Sequence, residues 1–446
     1  MKLFGNKVFL LLIIAIAVRI FFSIRCDLRT FPDSKLYFET GRQLVTGDYS
    51  DYNGKRAPVY PLLIAATGFN REVTVFFQVA MGVGISLLLY LIFSKLTGSS
   101  MAGFLAGLVH ALNPAMIGYE FTLCSETTCA FFLILSIFLL FRFIAQKRIP
   151  SAGELIILGI ASGLCLLTRP MYQFFPVFLT AALIFYLSRR KMAVWKVVLF
   201  IVPVMITTIP WGIFQYKRIG QFVITPDIGY AIMYHTVRFI EEAPDEYDDI
   251  KQVLIKHREH KIRAGAKSYD SCLEASRVEL QELTGLPYAE LSRKLAWISI
   301  KTITEEPILY LRGVVRAFFR FFKPFWPGHL YGVRPAVMEG GWLLRSVIAT
   351  YAAFFLFSLA ILLFLPVLTI ISPSWRKAFR WHFNTVFFYS LLLVTAGFPA
   401  FLTFSDNARF HASIEPVILG FAISIFFTAW RKGLLNLYTL LRQARK

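Results

Sequence analysis

Ten apolar runs constrain this chain more than any other feature. They fall near residues 8–24, 73–95, 101–118, 122–144, 153–168, 171–188, 194–214, 343–366, 382–403 and 412–430. Each approaches the ~20 apolar residues that carry a helix across a bilayer. Inside a bilayer the backbone must satisfy its own polar groups, which leaves helices as the spanning elements for runs of this length. Composition agrees, at 57% hydrophobic and 17% charged residues with a mean hydropathy of +0.59. A soluble domain carries about 45–50% apolar and 25% charged residues. The expected fold is an all-α polytopic membrane protein with about ten transmembrane helices and an outer helical loop domain. The first run has a basic start, which also suits a signal peptide. No small-residue cleavage site follows it, only Arg25-Cys26-Asp27, so a retained first helix is expected.

The net charge of +20 would suit a nucleic-acid partner in a soluble protein. Here the basic residues collect in short gaps between apolar runs: Lys147-Arg148, Arg189-Arg190-Lys191, Arg376-Lys377 and Arg431-Lys432. Such clusters mark cytoplasmic loops, and the basic tail from Arg442 to Lys446 suits an anionic inner leaflet. No nucleic-acid partner is expected. Both termini are placed in the cytoplasm of a bacterial-type inner membrane. The outer side then receives 25–72, short turns near 119–121, 169–170 and 404–411, and the long stretch 215–342. Residues 25–72 keep seven Lys and Arg outside, against the usual bias, which points to a phosphate to be met there. The expected organisation is an N-terminal transmembrane module (1–214) with outer loop 25–72, and an extracytoplasmic helical domain (215–342). A C-terminal transmembrane module (343–430) and an amphipathic cytoplasmic tail (431–446) follow.

Within 215–342, helix-like segments fall at 246–264, 269–284 and 288–304. The run Arg312 to Lys323 is basic every three or four residues with aromatics between, the pattern of an interfacial helix. Of the five cysteines, three lie in apolar segments as small core residues. Cys26 and Cys272 could meet on the outer side, but nothing demands a disulfide. No metal-ligand spacing, phosphate-binding GxxxxGK[ST] loop, HExxH helix or GxSxG elbow occurs. Neither a metal nor a cofactor is expected.

The chemistry-bearing residues gather in the outward segments. Asp33, in Pro32-Asp33-Ser34, opens a short helix with Tyr37 one turn on. It is either a reactive carboxylate or a helix cap, and the Glu or Gln that completes a capping box is replaced by Leu36. Gly54-Lys55-Arg56-Ala57-Pro58-Val59-Tyr60-Pro61 is a rigid basic turn, suited to a phosphate through charge-assisted hydrogen bonds or simply solvated. Glu126, like Glu120, sits at the mouth of an apolar helix, where it needs a cation, water or a hydrogen-bond network. Arg169 either holds a lipid phosphate or snorkels to headgroups. Arg409 lies in a late outward turn with His411, which lacks any partner at metal-ligand spacing.

In this order the pieces resemble the polytopic GT-C glycosyltransferases, nearest to the protein O-mannosyltransferase and lipid A aminoarabinose transferase group. The shared elements are Pro32-Asp33-Ser34 with Tyr37, Lys55 to Pro61, Ser125-Glu126-Thr127, Leu167 to Pro170, Arg218 to Phe222, and Ala408 to His411 with Glu415-Pro416. Two positions depart: Ser34 stands where many relatives carry a second acid, and Ala57 where a second proline is common. The resemblance implies a sugar donor linked to a polyprenyl phosphate, a lipid, glycan or protein acceptor, and inversion at the anomeric carbon. It implies Asp33 as general base, aided by Glu126. Lys55, Arg56, Arg169 and Arg409 would meet the phosphate, with Tyr37, Tyr60 and His411 also binding substrate. Two rivals stand beside it. A lipid or glycolipid transporter or flippase would carry ionisable residues deep in the membrane near broken helices. A lipid-binding scaffold would tolerate loss of Asp33.

Overall fold

The computed structural model describes residues 2–25, 28–265, 270–323, 342–379, 383–404 and 407–433. The basic tail beyond 433, and Cys26, Trp326 and Tyr331, lie outside these residues. Helix α1 (Lys2–Arg25) leads through strand β1 (Arg29–Thr30) to α2 (Ser34–Thr46) and α3 (Val59–Ala66), which make up the outer loop. Helices α4 (Arg71–Thr97), α5 (Ser100–Ala111) and α6 (Pro114–Glu120) follow, then strand β2 (Thr122–Leu123). Next come α7 (Glu126–Ile144), α8 (Ala152–Thr168), α9 (Phe174–Arg189) and α10 (Val198–Ile219).

Among the described residues, seven helices are long and apolar enough to cross a membrane, eight if the α5–α6 pair, bent by 58°, counts as one. A helix lies under each of the ten expected runs. The difference in count is a matter of length. Helices α8 and α20 (Glu415–Arg431) have 17 residues each, about 26 Å at 1.5 Å per residue, just short of a ~30 Å hydrocarbon core. The run expected to begin at 122 starts its helix at Glu126, because 122–123 pair as β2. The bend at Asn113 has a local cause. Pro114 opens α6, and the Asn113 side chain accepts from the Ala115 and Met116 backbone N–H groups, capping a new helix where α5 stops.

Outside the spans, α11 (Ile228–Thr236), α12 (Asp248–Arg263), α13 (Asp270–Thr284) and α14 (Tyr288–Glu305) share a small core. Met233, Val237, Leu254, Leu280, Leu291, Leu295 and Ile298 are buried in it. Helix α15 (Pro307–Phe321) buries Gly313, Val314, Ala317 and Phe321 and leaves Ile308, Leu311, Val315 and Phe319 exposed. The last elements are α16 (Trp342–Ile371), α17 (Pro373–Ala378), α18 (Phe383–Leu402), α19 (Asn407–Phe410) and α20 (Glu415–Arg431). Stacked phenylalanines join the early and late helices: Phe388 lies 5.2 Å from Phe141 and 5.8 Å from Phe93.

The outer loop is tied to the bundle by two devices. First, β1 pairs in parallel with β2, Arg29 opposite Thr122 and Thr30 opposite Leu123. Second, the Ser34 hydroxyl donates to the Leu123 carbonyl at 2.6 Å and accepts from the Phe31 N–H at 2.7 Å. The position that departs from the resembled family is thus a stitch. Behind β2, Gln78 on α4 donates to the Glu120 and Thr122 carbonyls, each at 2.8 Å, and accepts from the Tyr60 hydroxyl at 2.5 Å.

Candidate active site

Five stretches of the chain meet at one cluster of charges. The α2 entry brings Asp33, the turn before α3 brings Arg56, the start of α7 brings Glu126, and α8 ends at Arg169. The short helix α19 adds Arg409. Asp33 accepts from Arg56 Nη2 at 2.6 Å on Oδ1 and from Arg409 Nη1 at 3.1 Å on Oδ2. The same Arg409 donates from Nε to Glu126 Oε1, and Arg169 Nη1 lies 2.7 Å from that oxygen. Arg409 therefore bridges the two carboxylates.

The two acids sit in different settings. Glu126 is 0% exposed, whereas the Asp33 side chain keeps 24% of its surface open. Asp33 occupies the N-cap position of α2, yet its side chain makes no capping hydrogen bond; the arginines hold it instead. Burial alone would raise its pKa. The opposing fields of Arg56 and Arg409 outweigh that and hold it below the ordinary carboxylate value. Burial by itself would lower the pKa of Arg409, but Glu126 and Asp33 raise it well above the usual value.

Aromatics wall the cluster. Arg56 lies over the Tyr37 ring at 5.0 Å, and Arg409 lies over Phe31 at 4.1 Å. Tyr37 bonds Ser125 through its hydroxyl at 3.0 Å and meets Tyr60 edge-on at 4.8 Å. Desolvation raises the pKa of both phenols, so they stay protonated and act as hydrogen-bond donors or walls.

Of the residues picked from sequence, the fold brings Asp33, Tyr37, Arg56, Glu126, Arg169 and Arg409 into contact. Tyr60 backs Tyr37 one layer behind. Lys55 points to the outer helices, 3.3 Å from Glu274 and 5.2 Å from the Tyr288 ring centre. His411 is placed elsewhere. It is fully buried, stacks on Phe355 at 5.3 Å and bonds Glu415 at 2.6 Å. Glu415 also accepts from Asn113 at 2.8 Å and from Tyr351. His411 thus anchors the turn that carries Arg409 to the α5–α6 bend. It does not reach the carboxylates.

Sequence reasoning passed over Arg19, Gln78 and Asn113, and marked Ser34 only as a departure from the resembled family. Arg19 carried a signal, as a lone cation inside an apolar run. It forms a two-point ion pair with Glu120, at 2.7 and 2.9 Å, both side chains buried. Among the described residues no three His, Cys, Asp or Glu side chains converge on a metal position.

Residues 55–214 match the family model described as dolichyl-phosphate-mannose-protein mannosyltransferase. That stretch holds Arg56, Tyr60, Glu126 and Arg169, with Asp33 before it and Arg409 after. The chain is similar in structure to the archaeal oligosaccharyltransferase AglB from Archaeoglobus fulgidus, solved with an inhibitory peptide and a dolichol-phosphate. Their TM-score is 0.53 at 16% identity, covering 99% of this chain and 52% of that one. This chain therefore spans about half that enzyme's length. ArnT from Cupriavidus metallidurans, solved bound to undecaprenyl phosphate, gives a TM-score of 0.39 at 15% identity, covering 92% of this chain and 78% of its own. Comparison with curated proteins finds no match. This chain is a multi-pass, mainly helical membrane protein with a fold like that of the archaeal oligosaccharyltransferase AglB, and over residues 55–214 it is similar to the dolichyl-phosphate-mannose-protein mannosyltransferases.

Proposed function

We propose that this protein is an inverting glycosyltransferase of the outer membrane face. It moves a sugar from a polyprenyl-phosphate-linked donor to a hydroxyl on a lipid, glycan or protein acceptor. One observation carries the reading: a partly open carboxylate, Asp33, stands among three arginines where five stretches of the chain converge. The acceptor oxygen attacks the anomeric carbon as its proton passes to Asp33. The bond from that carbon to the phosphate oxygen breaks, and the polyprenyl phosphate leaves with the electron pair. Charge grows on the phosphate during this step, and Arg56 and Arg409 stand ready to stabilise it. Glu126 is the fixed anchor that aims Arg169 and Arg409. Helices α11 to α14 contribute to acceptor choice, with Lys55 as their contact to the catalytic loop. The family match over 55–214 and the dolichol-phosphate in the archaeal structure support a lipid-phosphate donor. The inner-side clusters of Lys and Arg support cytoplasmic termini and a bacterial-type inner membrane.

The test is transfer by purified protein from polyprenyl-phosphate sugars. Asp33→Asn should lower turnover about 10²- to 10⁴-fold, the range for a general base, while lipid donor still binds. Wild-type protein that moves no sugar from any such donor refutes the proposal. So does an Asp33→Asn protein of unchanged rate, the result a scaffold would give.

A further inference from the structure

A general base must gain a proton as the hydroxyl loses it, and each Asp33 oxygen accepts from a guanidinium, which holds the carboxylate in its charged form. The site also has unequal charge. Arg56, Arg169 and Arg409 are paired with Asp33 and Glu126, three positive groups against two negative, and the next charges out, Asp227 beside Arg56 and Lys55 beside Asp227, offset each other and leave +1. A phosphodiester donor, with one negative charge, restores neutrality. Its leaving group, a phosphate monoester, carries about −1.5 to −2 at neutral pH.

The arginines differ in how freely they can move. Arg409 is fastened to buried Glu126 as well as to Asp33, and Arg169 also lies on Glu126. Arg56 has Asp33 as its ion-pair partner, and its Nε is buried without a hydrogen-bond partner. That N–H suits an incoming oxygen of a phosphate, which accepts in a two-point geometry from one guanidinium. We propose that Arg56 is an exchangeable counterion: the donor phosphate takes its guanidinium from Asp33, and only then is Asp33 free to accept the acceptor's proton. The inference rests on the glycosyltransferase reading and deepens it. Donor must bind before acceptor chemistry begins, which guards the sugar–phosphate bond and keeps an unoccupied site inert.

The charged and titratable groups facing Asp33 are Arg56 from the α3 turn, Arg409 from α19, Glu126 from α7 and Tyr37 from α2. Once Arg56 leaves, Arg409 is the one cation still bonded to Asp33, and the carboxylate becomes more basic.

Two measurements decide the matter. In a structure of the full chain in nanodiscs with polyprenyl phosphate, Arg56 should lie on the phosphate and Asp33 Oδ1 should be open. A bound phosphate with the Arg56–Asp33 pair intact overturns the exchange. In kinetics, the acid limb of kcat/KM for the acceptor at saturating donor should lie above that of kcat/KM for the donor. A gap of about one pH unit is expected, a tenfold change in proton affinity. Coincident limbs in an active protein also overturn the exchange. Absence of both lipid binding and transfer removes the glycosyltransferase reading itself, a distinct outcome.

Discussion

The Arg19–Glu120 pair makes the sharpest test of how this bundle is held together. Arg19 rises from α1 and Glu120 closes α6, and they meet at 2.7 and 2.9 Å with side-chain exposures of 2% and 0%. Arg19 Nη1 also donates to the Ala15 carbonyl at 3.2 Å and the Ala111 carbonyl at 2.9 Å. Gly82 on α4 gives the carboxylate its room, since a Cβ there would lie 2.1 Å from Glu120 Oε1. Removing one partner strands the other charge away from water, at a cost of about 3–5 kcal/mol. Arg19→Met and Glu120→Met should each lose that much. The double variant leaves no charge behind and should fall only about 1–2 kcal/mol below wild type, the net worth of the lost carbonyl bonds. The resulting coupling, about 4 kcal/mol or more, lies above the usual range of about 0.5–3 kcal/mol for residues in contact. Equilibrium unfolding in mixed detergent–SDS micelles would measure all four proteins. If the two single losses add in the double variant to within about 0.5 kcal/mol, the two groups do not share an ion pair and the clamp is wrong.

Three further outcomes follow from the same geometry. Ser34→Ala should cost about 1–3 kcal/mol in the same unfolding measurement, because the Phe31 N–H and Leu123 carbonyl lose a shared buried partner; a change below 0.5 kcal/mol would mean the stitch is not formed. Asp33 has a depressed pKa in the folded protein, so its stabilising contribution is complete above about pH 4 and drains away as pH falls through the depressed value. Thermal melts of Asp33→Asn should therefore lose less stability than wild type between about pH 4 and 2, and parallel curves would contradict the ion pairs. Ser50 is exposed in the outer loop, and Ser50→Cys in sealed cells should react with an impermeant maleimide above the parental background; labelling only after lysis would invert the assigned topology.

What could be read from the sequence, and what could not, divides along a physical line. Spanning helices were legible because a bilayer asks for one property, apolarity, over one length, and each expected run holds a helix. The helix-like segments expected at 246–264, 269–284 and 288–304 appear as α12, α13 and α14, the last legible from the helical spacing of its apolar residues. Partner choice was not legible, because it depends on which loops fold against one another. Asp33 carried two readings, cap or reactive acid, that no local pattern separates. What separates them is Arg409, 376 residues away. His411 lies two positions from Arg409 and was grouped with it on that ground. The turn over 411–414 swings the two side chains apart, one to Glu415 and the other to Glu126. Lys55 and Arg56 are adjacent and split in the same way, one to the outer helices and one to Asp33. In an irregular outward turn, neighbours in sequence need not share a face, so a motif fixes the kinds of residue present and the fold decides which of them meet. The three-to-two excess of arginines over carboxylates among the paired groups became visible only after that sorting, and it is the observation from which the proposed anion exchange is argued.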